Sequence, residues 1–219
     1  MTYIYLIRHC EAMGNQKRLF QGSTDCDISE TGKKQLEYLA ERFKNIKLDA
    51  VFSSPLIRAQ KTAHAIADSK SLAVNTRQNL VEIHGGVVEG RPFQEAFNAI
   101  AGLADTWNNH PQDFAPQGGE PMRHGYERIY SEILELARQN SGKTIAVTTH
   151  GGVLRCLLCR VFYNDIERLK DVPWCENTAV TLIKIDDENK IGVEFFNDYS
   201  HVPDCYMPKR SRIVSEIRG

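Results

Sequence analysis

The sequence predicts an α/β fold: a three-layer sandwich with a mostly parallel central sheet, helices on both faces of the sheet and a small helical cap. Segments rich in β-branched and aromatic residues alternate along the chain with segments of helical periodicity. Residues 3–7 and 144–149 are the strongest strand segments, and their composition is typical of strands that are buried in a parallel sheet.

The first two predicted strands lie on either side of a loop and a helix. Residues 3–7 form the first strand, and the polar, glycine-containing residues 12–25 are typical of a loop. Ser29 is a suitable N-cap for the helix that follows. The apolar face of that helix repeats at helical spacing and consists of Leu36, Leu39, Ala40 and Phe43. The second, shorter strand covers residues 48–52.

Another helix and a third strand follow. Ser54 can cap this helix, and Pro55 suits its first position. The buried stripe of the helix consists of Leu56, Ala59, Ala63 and Ile66. Residues 73–76 are a short strand, and residues 80–90 are a glycine-rich loop. We expect the weakly helical residues 91–115 to be the inserted cap.

The C-terminal half continues the alternation. The apolar face of its first helix consists of Ile129, Ile133, Leu136 and Ala137. The strand at residues 144–149 comes next, and a further helix begins directly after His150. Residues 179–185 and 191–196 are predicted strands that a polar turn separates. Because no linker or repeat divides the chain, we expect one domain over residues 1–219.

Composition and charge are ordinary for a globular protein. The chain has 219 residues and a formal net charge of −1, which gives no reason to expect binding to nucleic acid or to an anionic membrane. The first strand begins within the first three residues and leaves no room for a signal peptide, and no apolar run approaches the roughly 20 residues that span a bilayer. We therefore expect a cytoplasmic protein. The basic residues of a solvated C-terminal tail are Lys209, Arg210, Arg212 and Arg218.

The six cysteines are expected to be thiols, because a chain of this size without a secretion signal has little need of disulfides. Cys156 and Cys159 have the spacing of a redox or zinc pair. Their neighbours are apolar, however, and no second pair at metal-ligand spacing exists. The pair is therefore predicted to lie on the buried face of a helix.

Polar residues follow three of the predicted strands where each strand ends. Arg8 and His9 follow the first strand, Arg58 lies one turn beyond the second, and His150 follows the later of the two strong strands. Glu82 lies in the glycine-rich loop. In an open α/β sheet, ligands bind beyond the carboxyl ends of the strands, so we expect these side chains to converge.

This set of two arginines, two histidines and one carboxylate fits phosphoryl transfer. The transferred group is highly charged and needs fixed positive charge and hydrogen-bond donors around it. The arginine fork matches phosphate oxygens, and a neutral imidazole can be a nucleophile. Nearby guanidinium groups favour the neutral form of His9, and a protonated Glu82 can supply the proton that a leaving group needs.

With these motifs the sequence resembles the histidine phosphatase superfamily, which includes the cofactor-dependent phosphoglycerate mutases. The matching segments span nearly the whole chain in the family's order. They are residues 6–9, Asn15, residues 21–22, 31–32 and 53–63, Glu82, and residues 89–90, 118–120 and 149–155.

The resemblance implies a role for each matching side chain. His9 would attack phosphorus and become phosphohistidine. Arg8, Arg58 and His150 would bind the phosphoryl oxygens, with help from Asn15. Because two arginines and two histidines supply the charge stabilisation, the resemblance implies neither a metal nor another cofactor.

The remaining roles concern proton transfer and the substrate. Glu82 would protonate the leaving alcohol and then act as the base for the water that cleaves phosphohistidine. Gln21, Gly22 and Thr24 are expected to border the pocket and to contact the substrate, a small phosphorylated metabolite. The family usually has glycine in place of Cys10, where a close backbone approach or a positive φ would favour it.

Phosphomonoester hydrolysis is the predicted activity, and two features favour it over phosphoglycerate mutation. Residues 20–22 read Phe-Gln-Gly, as in phosphatase-like members, where mutases tend to have Gly-Trp. The segment between Glu82 and Gly118 is also short for a mutase and carries Arg91 as its one basic residue besides histidine. Mutase activity is the alternative. A non-catalytic phospholigand-binding protein is a third hypothesis, with Cys10 as its sequence support.

Overall fold

The computed structural model describes residues 1–207, so the predicted basic tail lies outside the described residues. The strands within these residues are β1 (Thr2–Arg8), β2 (Ala50–Ser53), β3 (Val74–Thr76), β4 (Thr144–Thr149), β5 (Val180–Ile185) and β6 (Ile191–Asp198). They form one sheet in the order β3-β2-β4-β1-β5-β6. Every strand predicted from the sequence is confirmed, with ends that shift by at most two residues.

Most of the sheet is parallel, as predicted. β1 is parallel to β4, and β2 is parallel to both β3 and β4. β5 is antiparallel to β1, and β6 is antiparallel to β5, to which a short turn joins it. The register pairs Arg8 with Thr149 and Ser53 with Thr148. The carboxyl ends of β1, β4 and β2 therefore meet at one edge of the sheet.

The α-helices are α1 (Met13–Gln16), α2 (Glu30–Phe43), α3 (Ile57–Ala67), α4 (Phe93–Ala99), α5 (Leu103–Asn109), α6 (Met122–Gln139) and α7 (Gly151–Tyr163). Successive side chains of a strand point to opposite faces. Ile4 and Leu6 of β1 accordingly pack in an apolar core with α6 and α7, whereas Ile7 packs in a second core with α2 and α3. The three-layer sandwich is therefore confirmed. No helix in the described part of the chain is long and apolar enough to cross a membrane.

The predicted cap at residues 91–115 consists of α4, α5 and a short 3-10 turn at Pro111–Asp113. Aromatic rings join it to the rest of the molecule. The ring centroid of Phe20, in the loop after α1, lies 6.0 Å from that of Phe93 and 5.8 Å from that of Trp107. On its other side, Trp107 stacks on Trp174 at 5.8 Å. The cap thus packs both against this loop and against the segment before β5.

Two local predictions are wrong. The predicted loop at residues 12–25 contains the single-turn helix α1. Helix α3 begins at Ile57 with Leu56 as its N-cap, so Ser54 does not cap it and Pro55 is not its first residue. The physical reason is that the Ser54 side chain lies against the ring of His150, from where its oxygen reaches the Leu56 N–H but makes no hydrogen bond to an N–H of the helix itself.

The sequence predictions for Ser29 and for the cysteines are confirmed. The side-chain oxygen of Ser29 accepts a hydrogen bond from the Gly32 N–H and caps α2. All six cysteines are free thiols. Cys156 and Cys159 lie on α7 with no exposed surface, as expected of core residues.

Candidate active site

The carboxyl ends of three adjacent strands bring together the side chains that the sequence singled out. Arg8 is the last residue of β1, and His9 follows it. His150 directly follows β4, and its ring centroid lies 5.2 Å from that of His9. Arg58 lies in the first turn of α3, shortly after β2, and its charge acts on both histidines. These four side chains therefore form one cluster, in which His9, Arg58 and His150 are buried and Arg8 is half-buried.

The ring of His9 is held in one tautomer. Its Nδ1 lies 2.6 Å from the carbonyl oxygen of Cys10, and because a carbonyl can only accept, Nδ1 carries the proton. Nε2 keeps its lone pair and has no hydrogen-bond partner among residues 1–207. Burial, followed by the charges of Arg58 and Arg8, holds the pKa of His9 well below its ordinary value. A neutral ring with a bare Nε2 can act as a nitrogen nucleophile at neutral pH.

The two arginines are held by backbone carbonyl groups. The side chain of Arg58 is fully buried, and its Nη atoms donate three hydrogen bonds of 2.8 to 3.2 Å to carbonyl oxygens of the loop after α1. Arg8 donates from Nη1 to the carbonyl oxygen of Cys175. The Nε atoms of both arginines are buried and have no partner among the described residues. An unpaired buried donor costs about 1–3 kcal/mol, so both groups favour an added acceptor such as a phosphoryl oxygen.

The ring of His150 is also fully buried. Its Nε2 lies 2.7 Å from the hydroxyl oxygen of Ser54, whereas its Nδ1 has no partner in the described part of the chain. Burial, and then the charge of Arg58, holds the pKa of His150 well below its ordinary value. The ring is therefore neutral at neutral pH and leaves one nitrogen for a ligand.

The carboxylate of Glu82 is held at the N-terminus of α7. It accepts three backbone hydrogen bonds of 2.7 to 3.0 Å, and two of the donors are the N–H groups of Gly152 and Val153. These backbone donors fix the position of the Glu82 carboxyl group beside the first turn of α7. Its charge acts on Arg8 and Arg58, so Glu82 belongs to the same cluster.

The predicted border residues Gln21, Gly22 and Thr24 contact the cluster through their backbone. Their carbonyl oxygens are the three acceptors that hold the guanidinium group of Arg58. The side chain of Thr24 donates to the carboxylate of Glu89, and the side-chain oxygen of Gln21 is buried without a partner. Direct contact of these three residues with a substrate stays a prediction.

Asn15 lies in α1, which precedes the loop whose carbonyl groups hold Arg58. Its side-chain oxygen accepts a hydrogen bond from the Ala12 N–H at 2.9 Å. Within residues 1–207 it makes no hydrogen bond to the arginines or histidines of the cluster. Its predicted contact with phosphate therefore stays a prediction.

The comparison with protein families agrees with this geometry. A family model described as the histidine phosphatase superfamily, branch 1, matches residues 4–198. The chain belongs to this superfamily.

Curated relatives and solved structures of similar proteins cover the chain almost completely. Phosphoserine phosphatase 1 of Hydrogenobacter thermophilus is 28% identical over 213 residues, which are 97% of this chain and 100% of that relative. Phosphoglycerate mutase-like protein 4 of Arabidopsis thaliana is 31% identical over 204 residues, which are 91% and 86% of the two chains. The structure of YhfR from Bacillus stearothermophilus has a TM-score of 0.86 at 28% identity, covering 92% of this chain and 99% of YhfR.

Cys10 stands where this superfamily usually has glycine, and the histidine phosphatase fold accommodates it here. Its φ is not positive, and its backbone N–H donates to the Thr62 hydroxyl at 3.0 Å. The thiol is fully buried, and burial raises its pKa to about 12, so it stays protonated. Neither a left-handed backbone nor a close approach requires glycine at this position.

We expect Cys10→Gly to lower the free energy of unfolding by about 2 kcal/mol while changing kcat by less than about threefold. The change removes a buried side chain and frees the backbone of the unfolded chain, but it leaves the carbonyl group that orients His9. Urea denaturation and phosphate release measure the two effects. Cys10→Ala is the control that keeps the backbone restricted. A tenfold change in kcat at unchanged stability would contradict this expectation.

Arg128 and Glu120 hold the segment before Glu82, and sequence reasoning missed both roles. Arg128 donates from Nη1 to the carbonyl oxygens of Asn79 and Val81, at 2.6 and 3.0 Å. Its Nε and Nη2 donate to both oxygens of Glu120, at 2.8 and 2.6 Å. Glu120 lies in the turn before α6 and Arg128 lies within α6, so no helical spacing in the sequence indicates the pair.

Gly152→Ala is expected to lower kcat by about 10²-fold, because it displaces the carboxylate of Glu82. A Cβ atom at this position would lie 2.6 Å from Oε1 of Glu82, and no real side chain tolerates that distance. Steady-state kinetics measure the effect. In a Glu82→Gln background, the same glycine substitution is expected to cost little further activity. Full additivity of the two losses would show that Gly152 acts by another route.

Proposed function

We propose that this chain is a phosphomonoesterase that hydrolyses small phosphorylated metabolites through a phosphohistidine at His9. The observation that carries the proposal is a set of three buried nitrogen atoms without partners among the described residues: Nε of Arg8, Nε of Arg58 and Nδ1 of His150. They belong to the same cluster as the neutral ring of His9. A phosphoryl group brings three anionic oxygens, which can accept hydrogen bonds from such donors.

In the first half-reaction, Nε2 of His9 attacks phosphorus with its lone pair, and the bond from phosphorus to the leaving oxygen breaks. Nδ1–H stays bound to the carbonyl of Cys10, which stabilises the positive charge that forms on the ring. Arg8 and Arg58 hold the phosphoryl oxygens during the transfer. A protonated Glu82 gives its proton to the leaving oxygen, so the product is a neutral alcohol.

In the second half-reaction, water takes the place of the alcohol. The carboxylate of Glu82 accepts a proton from the water, the oxygen attacks phosphorus, and the bond from phosphorus to His9 breaks. Inorganic phosphate leaves, and both side chains return to their starting forms. Between the two steps, the N–H groups of Gly152 and Val153 stabilise the ionised carboxylate.

A phosphoglycerate mutase is the second candidate, and the mutase-like relative from Arabidopsis thaliana supports it. A mutase returns the phosphoryl group to another hydroxyl of a monophosphate and must therefore hold a bisphosphorylated species. The cap contributes little positive charge for a second phosphate. Arg91 is the one lysine or arginine in residues 91–115, and it pairs with Glu95 at 3.3 Å. The distribution of charge, together with the relative named phosphoserine phosphatase, favours hydrolysis.

Non-catalytic binding of a phospholigand has less support. Cys10 was its sequence argument, and this residue packs beside His9 without disturbing the tautomer that leaves Nε2 free. A protein that only bound phosphate would have no use for a neutral nucleophile.

The direct test is phosphate release over a panel of small phosphomonoesters that includes phosphoserine, sugar phosphates and 3-phosphoglycerate. We expect steady release of inorganic phosphate from some of these esters without isomerisation of 3-phosphoglycerate. Isomerisation that outpaces phosphate release would favour the mutase. Tight phosphate binding without turnover of any ester would favour the binding protein.

A further inference from the structure

The hydroxyl group of Ser54 is buried against His150 and has no part in the steps above. Its oxygen lies 2.7 Å from Nε2 of His150, and both side chains are 0% exposed. The backbone N–H of Leu56 donates to the same oxygen at 3.4 Å. Within residues 1–207 the hydroxyl has no other partner. Its hydrogen therefore has a single acceptor in reach, which is Nε2 of His150.

The tautomer of His150 decides whether this contact assists phosphate binding. Burial and the charge of Arg58 hold the pKa of the ring low, so the neutral ring carries one N–H. With the proton on Nε2, the hydroxyl hydrogen of Ser54 would be buried without an acceptor. The bare Nδ1 would then turn its lone pair toward the lone pairs of the phosphoryl oxygens. With the proton on Nδ1, the Ser54 hydroxyl donates to Nε2, and Nδ1–H is left to donate to a phosphoryl oxygen.

We infer that Ser54 is a positioning residue that selects the tautomer of His150 with the proton on Nδ1. The hydrogen bonds then run in one direction, from the Leu56 N–H to the serine oxygen, from the serine hydroxyl to Nε2, and from Nδ1–H to a phosphoryl oxygen. The inference rests on the proposed function, because it takes a phosphoryl group as the ligand. In this tautomer the buried Nδ1–H of His150, which has no partner among the described residues, donates a hydrogen bond to phosphate.

Long-range ¹H–¹⁵N spectra of protein labelled with ¹⁵N-histidine test the tautomer directly, since both neutral tautomers and the imidazolium ion have different ¹⁵N shifts. The ring is assigned with a His150→Asn variant and observed with and without inorganic phosphate. We expect the Nδ1–H tautomer in both states of the wild-type protein. The Nε2–H tautomer or an imidazolium ion in the phosphate complex would overturn the inference.

Ser54→Ala tests the role of the hydroxyl. We expect a shift of His150 toward the Nε2–H tautomer and about tenfold weaker binding of inorganic phosphate, the size of one lost hydrogen bond to a charged group. Ser53→Ala is the matched control, because the neighbouring hydroxyl is equally buried but donates to the Ser54 carbonyl oxygen at 2.8 Å. Ser54→Thr, which keeps the hydroxyl, is expected to retain the wild-type tautomer.

The outcomes separate this inference from the proposed function. If the Ser54→Ala variant keeps the wild-type tautomer of His150 and the wild-type affinity for phosphate, the inference is overturned, whatever the rate at which the protein hydrolyses esters. The expected spectra and phosphate affinities in a protein that hydrolyses no ester would support the inference and contradict the phosphatase. If Ser54→Ala does not fold, the wild-type spectrum and Ser54→Thr decide the question.

Discussion

His9→Asn is expected to lower kcat for phosphomonoester hydrolysis by at least about 10⁴-fold, the order of effect that follows loss of a catalytic nucleophile. Asparagine has no basic nitrogen that could form a bond to phosphorus. The Nε2 atom of His9 is the bare nitrogen of a neutral ring, which the Cys10 carbonyl holds in one tautomer. Steady-state phosphate release at saturating substrate measures the loss.

Phosphate binding provides the control for this variant. The donors from Arg8, Arg58 and His150 stay in place, so His9→Asn is expected to bind inorganic phosphate within about tenfold of the wild-type affinity. A variant that keeps more than one per cent of the wild-type kcat would indicate direct attack of water on the ester. That result would assign His9 a role in binding alone.

Glu82→Gln is expected to lower kcat by about 10²- to 10⁴-fold for esters of alkyl alcohols, because these leaving groups need a proton. Glutamine keeps one carbonyl oxygen for the backbone donors of α7, but its amide group cannot give up a proton at the leaving oxygen. Inorganic phosphate is expected to bind this variant with an affinity close to that of the wild type. Alkyl phosphate turnover and phosphate inhibition measure the two effects.

An activated ester is the sharpest control for Glu82. The 4-nitrophenolate leaving group is stable without a proton, so the first half-reaction of 4-nitrophenyl phosphate does not need the acid. We expect Glu82→Gln to slow single-turnover formation of the phosphoenzyme far less with this ester than with an alkyl phosphate. Equal losses for the two esters would show that Glu82 does not protonate the leaving group.

The main cluster could be predicted because strand composition and strand ends are local properties. A run of buried β-strand residues that stops at Arg8 and His9, and another that stops before His150, must place these side chains at an edge of the sheet. The parallel pairing of β1 with β4 then brings the two ends together. The location of Arg58 follows from the same rule applied to β2.

The roles of Ser54 and of the carbonyl groups around Arg58 could not be predicted. A serine before a proline is locally a good helix cap, and its bond to His150 depends on the pairing of β2 with β4, which lie far apart in the chain. The carbonyl groups that hold Arg58 belong to Gln21, Gly22 and Thr24. Every residue type carries a backbone carbonyl, so side-chain identity contains no information about this contact.

Rapid quenching of the reaction with a ³²P-labelled phosphomonoester tests the central claim most directly. The proposed mechanism predicts a burst of label on the wild-type protein within the first turnover, stable in alkali, labile in acid and located on the peptide that contains His9. The His9→Asn variant is expected to carry no label. Rapid release of phosphate by the wild-type protein without any protein-bound label, or a label on another residue, would contradict the phosphohistidine mechanism.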